Sequence, residues 1–170
     1  MQSLRLSPVS MTLILDTNVV IDWLVFDDPY MAPLRDAVTN RQVAVLTSPP
    51  ATAELQRVLA YPQLNLDTAR QTAIFTRYVA AVTAATLPEE FSLANLLLPP
   101  KFPRCRDADD QHFLALAWHS RATLLATRDK ALLKLKKRAA RFGVTIVDVP
   151  GLIAALIGNL PPYSPNSIAT

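Results

Sequence analysis

Four carboxylates in this chain stand where a fold could gather them. Asp16 ends the apolar run Leu13-Ile14-Leu15, and Asp129 follows Leu124-Leu125-Ala126-Thr127-Arg128. Glu54 lies early in one helical stretch, and Asp110 falls in the first turn of another. Carboxylates brought to one point repel one another and resist desolvation without a counter-charge. A hard divalent cation such as Mg²⁺ accepts all-oxygen ligands and would supply that charge. The pattern therefore points to a metal centre. Other chemistry is poorly provided for. Cys105 has no partnered base in sequence and reads as a half-buried loop thiol. His112 and His119 lack the spacing of a zinc site and read as structural histidines.

Each acid also has a plain structural reading. Asp16 and Asp129 suit N-caps of the helices that follow them. Asp107, Asp109 and Asp110 suit capping and dipole compensation at a helix start, and Glu54 alone suits a solvated helix face. Helical phase sets Asp110 apart. Phe113, Leu114 and Ala117 lie at i+3, i+4 and i+7 from it, so its carboxylate belongs on the buried side, over a sheet. Glu54 borders the apolar stripe Leu55, Val58 and Leu59.

Positioning these acids is the task of alternating elements. Residues 12–16, 43–47, 123–127 and 144–147 read as short buried strands. Residues 18–25, 49–61, 67–85, 107–120 and 130–142 carry helical patterns, the second opened by Ser48 and Pro49. Such alternation implies parallel β-α-β crossovers, hence an α/β fold: a three-layer α/β/α domain around a short central parallel sheet. Ligands bind at the carboxyl ends of such strands, where Asp16 and Asp129 lie.

The chain has 170 residues, 51% hydrophobic and 18% charged, enough for one domain with an ample core. The expected division is a leader over 1–10, a domain over 11–158, and a tail over 159–170 punctuated by Pro161, Pro162 and Pro165. Three glycines in the whole chain weigh against a phosphate loop or dinucleotide fingerprint, and neither motif is present. One cysteine excludes an internal disulfide and suggests a reducing compartment. No apolar run reaches the roughly 18 residues of a membrane span, and no secretory segment opens the chain. A soluble, cytoplasmic protein is expected. A net charge of +3 permits a polyanionic partner without requiring one.

Four segments in order carry a family resemblance. They are Leu15-Asp16-Thr17-Asn18-Val19, then Ala53-Glu54-Leu55, then Arg106-Asp107-Ala108-Asp109-Asp110 with Phe113-Leu114-Ala115-Leu116-Ala117, then Thr127-Arg128-Asp129-Lys130. Together they resemble the PIN domain over roughly residues 11–150. The stretch from Cys105 to Asp110 is most similar to the toxin components of bacterial toxin–antitoxin systems, relatives of the VapC ribonucleases. The resemblance implies that Asp16, Asp110 and Asp129 bind metal, with Glu54 as the motif glutamate. It implies that Asn18 and Thr127 support the acids, and that Asp109 and Asp107 are extra ligand candidates. Two departures stand out: Arg128, where many relatives have Gly or Asn, and Ala131, where many have a second acid. The implied chemistry is Mg²⁺- or Mn²⁺-assisted hydrolysis of RNA phosphodiesters, leaving 5′-phosphate and 3′-hydroxyl ends. The implied partners are an RNA substrate, a cognate antitoxin protein and a second copy in a homodimer.

Arg106, Arg128, Lys130 and Lys134 lie nearest the acids and are candidates for gripping RNA. Lys134, Lys137, Arg138 and Arg141 form one face of the last helical pattern, which reads equally as a solvated face. The segment 67–85, with Ala73, Ile74, Val79 and Val82, reads as a core helix, a homodimer face or an antitoxin groove. Two other strand-end aspartate chemistries fail on the residues. A haloacid-dehalogenase-type phosphatase needs a second Asp where Asn18 stands, and a receiver domain needs a Thr and Lys that do not align. A PIN scaffold without activity, binding RNA or a protein, is the remaining alternative. Retention of all four acids argues against it.

Overall fold

The structure, a computed structural model, describes residues 11–159. The expected leader, and the tail from residue 160 onward, lie outside the described residues. Strands β1 (Met11–Leu15), β2 (Val43–Thr47), β3 (Val82–Ala84), β4 (Leu124–Ala126) and β5 (Ile146–Val147) form one sheet in the order β3-β2-β1-β4-β5. Every pairing is parallel. Met11 lies opposite Val43, Leu13 opposite Leu124, Val45 opposite Val82 and Leu125 opposite Ile146.

Successive strand residues face opposite sides of a sheet, and here both sides are apolar. Leu13, Leu15, Leu124 and Ala126 enter one core, while Ile14, Leu125 and Ile146 enter the other. Both faces must therefore be covered, as parallel sheets generally are. The first core is closed by α1 (Thr17–Leu24), α2 (Ala32–Thr39), α3 (Pro49–Leu59), α4 (Thr68–Ala81) and α8 (Val149–Asn159), through residues such as Val20, Leu34, Leu55, Tyr78 and Leu152. The second is closed by α5 (Gln111–Ser120), α6 (Lys130–Leu133) and α7 (Lys136–Ala140), through Phe113, Leu114, Leu132 and Ala139. The result is the expected three-layer α/β/α arrangement. Burying a side chain the size of Leu13 or Ile14 contributes about 1.5–3 kcal/mol.

Local signals set where helices begin. Ser48 caps α3 by accepting from the Ala51 N–H at 3.4 Å, with Pro49 next, where no N–H is needed. Asp67 caps α4 through the Arg70 N–H at 2.8 Å. Before α8, Asp148 Oδ1 accepts from the Gly151 N–H at 2.8 Å, and a Cβ on Gly151 would meet that oxygen at 3.0 Å. A side chain there would crowd the cap.

The structure departs from the expected elements in four places. The helix expected over 67–85 stops at Ala81. The Val82 N–H still donates to Tyr78, but its ψ of 162° turns the chain extended, and Val82–Ala84 pairs with β2 as an edge strand. α4 packs through Ile74 and Tyr78, leaving Val79 exposed. The helix expected over 130–142 is broken at Lys134 and Leu135 into α6 and α7. The start of the 107–120 helix is a 3-10 turn, Ala108–Asp110, leading into α5. α2 and α8 had no counterpart in the expected elements, and α8 carries the domain one residue past the expected boundary at 158.

Candidate metal centre

The strand order makes a crevice. From β1 the chain runs outward to β2 and β3, then crosses back to β4 and β5 on the other side. Beyond the carboxyl ends of β1 and β4 the connections diverge, and such a switch point is where open α/β sheets bind ligands. Asp16 is the first residue past β1, and its N–H donates to Ala126 O at 3.0 Å. Thr127, Arg128 and Asp129 follow β4.

Asp16 is only 3% exposed and both its oxygens are used. Oδ1 accepts from the Val19 N–H at 3.0 Å, capping α1. Oδ2 accepts from the Thr127 hydroxyl and from the Arg128 N–H at 3.2 Å. Burial pushes its pKa up, and the hydrogen bonds oppose that without overturning it. Thr127 is fully buried and does two jobs: its hydroxyl donates to Asp16 and accepts from the Asp129 N–H at 2.9 Å. Asp129 Oδ1 in turn caps α6, accepting from Ala131 at 2.6 Å and Leu132 at 2.9 Å. For Asp16 and Asp129, capping and membership of the acid cluster coexist in one side chain.

Glu54 reaches the cluster from α3. Thr17 donates to its Oε1 at 2.5 Å, and His112 Nε2 lies 2.8 Å from Oε2. Burial alone would raise its pKa, but the hydrogen bonds from His112 and Thr17 and the charges of His112 and Arg57 leave it below the ordinary value. Asp110 is the opposite case. Burial, and then the charges of Asp129, Asp107, Glu54 and Asp16, push it up to about 6. Its carboxylate, that of Asp129 and the Cys105 thiol bring ligand atoms within 4.8 Å of one another. Burial and the neighbouring acids Asp110, Asp129 and Asp107 also push the Cys105 thiol up, so it keeps its proton at neutral pH.

Asp16, Glu54, Asp109 and Asp110, with Asn18, line a cleft of about 470 Å³; Asp129 does not line it. Asn18 is exposed there, and its backbone N–H favours the Asp16 anion. Asp109 is exposed in the same cleft. Asp107 is exposed too and caps the 3-10 turn by accepting from the Asp109 N–H at 3.0 Å. Of the candidate cations, Arg106, Lys130 and Lys134 are exposed, as are Lys137, Arg138 and Arg141. Arg128 is partly committed elsewhere: its Nη1 donates to both carboxylate oxygens of Asp22 at 2.8 Å.

The donor set fits a hard divalent ion. Carboxylate oxygens dominate it, and the repulsion that adds to burial in raising Asp110 is what a cation would relieve. Sequence reasoning did not anticipate His112, Thr17, Asp22 or Cys105 as neighbours of this centre. The available signals were slight. His112 is a polar residue opening a run of six buried positions, and Cys105 lies five residues before Asp110.

Comparison with known proteins accords with this geometry. A family model described as the PIN domain matches residues 12–131. An uncharacterized protein of Methanocaldococcus jannaschii is 25% identical over 134 residues, covering 78% of this chain and 79% of its own. Among solved structures, PAE2754 from Pyrobaculum aerophilum aligns with a TM-score of 0.55 at 14% identity, covering 88% of this chain and 97% of that one. VapBC2 from Rickettsia felis, solved bound to a DNA fragment from their promoter, aligns with a TM-score of 0.52 at 16% identity, covering 81% and 98%. At these identities the structural likeness is one of fold. Among the described residues no helix is long and apolar enough to cross a membrane.

Proposed function

This chain belongs to the PIN-domain family, and from that premise we propose that it is a divalent-metal-dependent endoribonuclease, the toxin of a type II toxin–antitoxin pair. One observation carries the reading. Asp110 and Asp129, from separate segments, bring carboxylate oxygens within 4.8 Å of each other, and burial, then the charges of Asp129, Asp107, Glu54 and Asp16, push Asp110 up to about 6. A fold gains nothing in stability from that repulsion, whereas a metal centre needs it.

Asp110 and Asp129 would hold Mg²⁺ or Mn²⁺, with Asp16 behind them. When bound, the ion supplies charge neutralisation at the phosphate and a water acidified for attack. The chain's own residues then have separable tasks. Thr127 fixes Asp16 relative to Asp129 through its single hydroxyl. Glu54, held ionised between Thr17 and His112, adds a fixed negative charge facing the cleft. Exposed Arg106, Lys130 and Lys134 are the candidates for contacts with flanking phosphates. The shared fold with VapBC2 supports an antitoxin protein as partner.

The test is cleavage of a labelled mixed-sequence RNA, with DNA of the same sequence beside it, in Mg²⁺, Mn²⁺ or EDTA. Metal-dependent cutting of RNA that Asp110→Asn abolishes is the expected result. No cutting by folded protein under any metal would turn the reading to a scaffold that binds without cleaving. Cutting of DNA alone would replace the substrate, since a metal-held phosphodiester does not itself report a 2′-hydroxyl.

A further inference from the structure

Phe26 and Tyr61 are large aromatic side chains left in water, 62% and 44% exposed. Both line the same cleft as Asp16, Glu54 and Asp110, and Arg57 lines it with them. Each ring sits at the far end of an element that carries an acid. Asp16 caps α1, and Phe26 follows that helix, its N–H bonded to Ile21 O at 3.1 Å. Glu54 lies within α3, and Tyr61 follows that helix, its N–H bonded to Val58 O at 2.9 Å. At 1.5 Å of rise per residue, the rings stand roughly 10–15 Å along from the acids. That distance suits a nucleotide neighbouring the cleaved bond rather than the one being cleaved. The backbone at each ring is fixed by its helix-end hydrogen bond, so binding need order only the ring itself.

We infer that the aromatic rim of this cleft is a base-stacking subsite for single-stranded RNA: Phe26 and Tyr61 take unpaired bases while Arg57 meets the backbone between them and the acids. The inference rests on the nuclease reading of the acid cluster. Its physical basis is that every base has a π-face, so aromatic platforms beside a cation hold single strands with little regard to sequence. A duplex keeps its bases stacked on one another and offers the rim nothing. The cleft runs from Asp110 and Glu54 to the rim, so a strand whose phosphate lies at Asp110 has a path to the rings along it.

The experiment uses the intact protein and an RNA carrying 2-aminopurine beside the cleavage site, as a single strand and as a duplex. In Ca²⁺, binding of the single strand should quench the 2-aminopurine as it stacks, and the duplex should bind at least about tenfold more weakly. Phe26→Ala and Tyr61→Ala should each reduce the quench and raise KM in Mg²⁺ about tenfold, with kcat little changed. Tyr61→Trp should restore both. Both positions are exposed, so truncation leaves the fold intact. Equal binding of the duplex, or alanine variants with unchanged quench and KM, would overturn the inference. If metal-dependent cleavage persisted in that case, the nuclease reading would stand and the rim would pass to a protein partner. Neither binding nor cleavage by wild-type protein would overturn both.

Discussion

His112 Nε2 stands 2.8 Å from Glu54 Oε2, tying a ring at 2% exposure to a carboxylate that opens on the cleft. The other ring nitrogen, Nδ1, is buried with no hydrogen-bond partner among the described residues. A buried polar atom without a partner destabilises a core. His112 is thus poorly suited to plain packing and well suited to fixing Glu54. His112→Phe should lower kcat about ten- to hundredfold, the range seen when a supporting hydrogen bond is lost. KM and the melting temperature should change little. Steady-state kinetics beside a thermal melt would check this, and an unchanged kcat would remove His112 from the positioning of Glu54.

Asp110→Asn should stabilise the metal-free protein while abolishing cleavage. The folded carboxyl titrates near 6 against an ordinary 3.8, so the folded state holds its proton more tightly than the unfolded state does. That contribution is complete below 3.8 and is lost as pH rises through about 6. A full shift of this size corresponds to about 3 kcal/mol. The side chain is only partly buried and solvent screens it, so about 1 kcal/mol is expected. Melts in EDTA should therefore separate variant from wild type at pH 8 and bring them together near pH 4. Asp16→Asn is a less clean comparison. Its oxygens serve Val19, Thr127 and Arg128, and an amide there would cost about 1–3 kcal/mol of stability as well.

Metal affinity should follow the same proton. An ion entering the cluster competes with the proton on Asp110, so apparent Mn²⁺ affinity should fall as pH drops below about 6 and level off above 7. One proton gives a limiting slope of about tenfold per pH unit. Calorimetric titrations in buffers of different ionisation enthalpy would report proton release directly. A flat affinity between pH 5 and 7 would show that Asp110 is not a ligand.

Arg128→Ala should lose stability rather than grip on RNA alone. Asp22 is 6% exposed, and burial already raises its pKa, with the Arg128 charge pulling the other way. Removing the arginine leaves a buried carboxylate alone. The arginine side chain is 59% exposed, so the loss should be about 1–2 kcal/mol, below that of a fully buried pair. Asp22→Asn should lose less, and the double variant, with no carboxylate left unpaired, should lose less than Arg128→Ala. Urea melts of the four proteins form the cycle that measures the coupling.

Much of this architecture was legible because the central strands are buried on both faces. Leu13-Ile14-Leu15 and Leu124-Leu125-Ala126 could hardly read as anything but core, and each ends within a few residues of an acid. Val82–Ala84 was hidden because a three-residue, half-exposed edge strand is too short to show a period of two beside the helical pattern running into it. α8 was hidden by its opening Val149-Pro150-Gly151, which has the chemistry of a loop and works as a first turn only because Asp148 caps it. The four acids could be placed at one edge of the sheet from strand ends and helical phase. His112 and Thr17 could not. Their bonds to Glu54 join residues 58 and 37 positions apart, and nothing local marks a contact that only packing creates.

The pairing of β1 with β4 also sets a schedule. Residues 111 positions apart are bonded at this seam, where Thr127 meets Asp16 and Thr123 meets Thr12. Contacts of such separation form late, because the intervening chain must be brought in first. On a ribosome the N-terminal half emerges with Asp16 and Glu54 long before Asp110 and Asp129 exist. On the nuclease reading proposed above, the cleavage site thus stays incomplete for most of the chain's own translation.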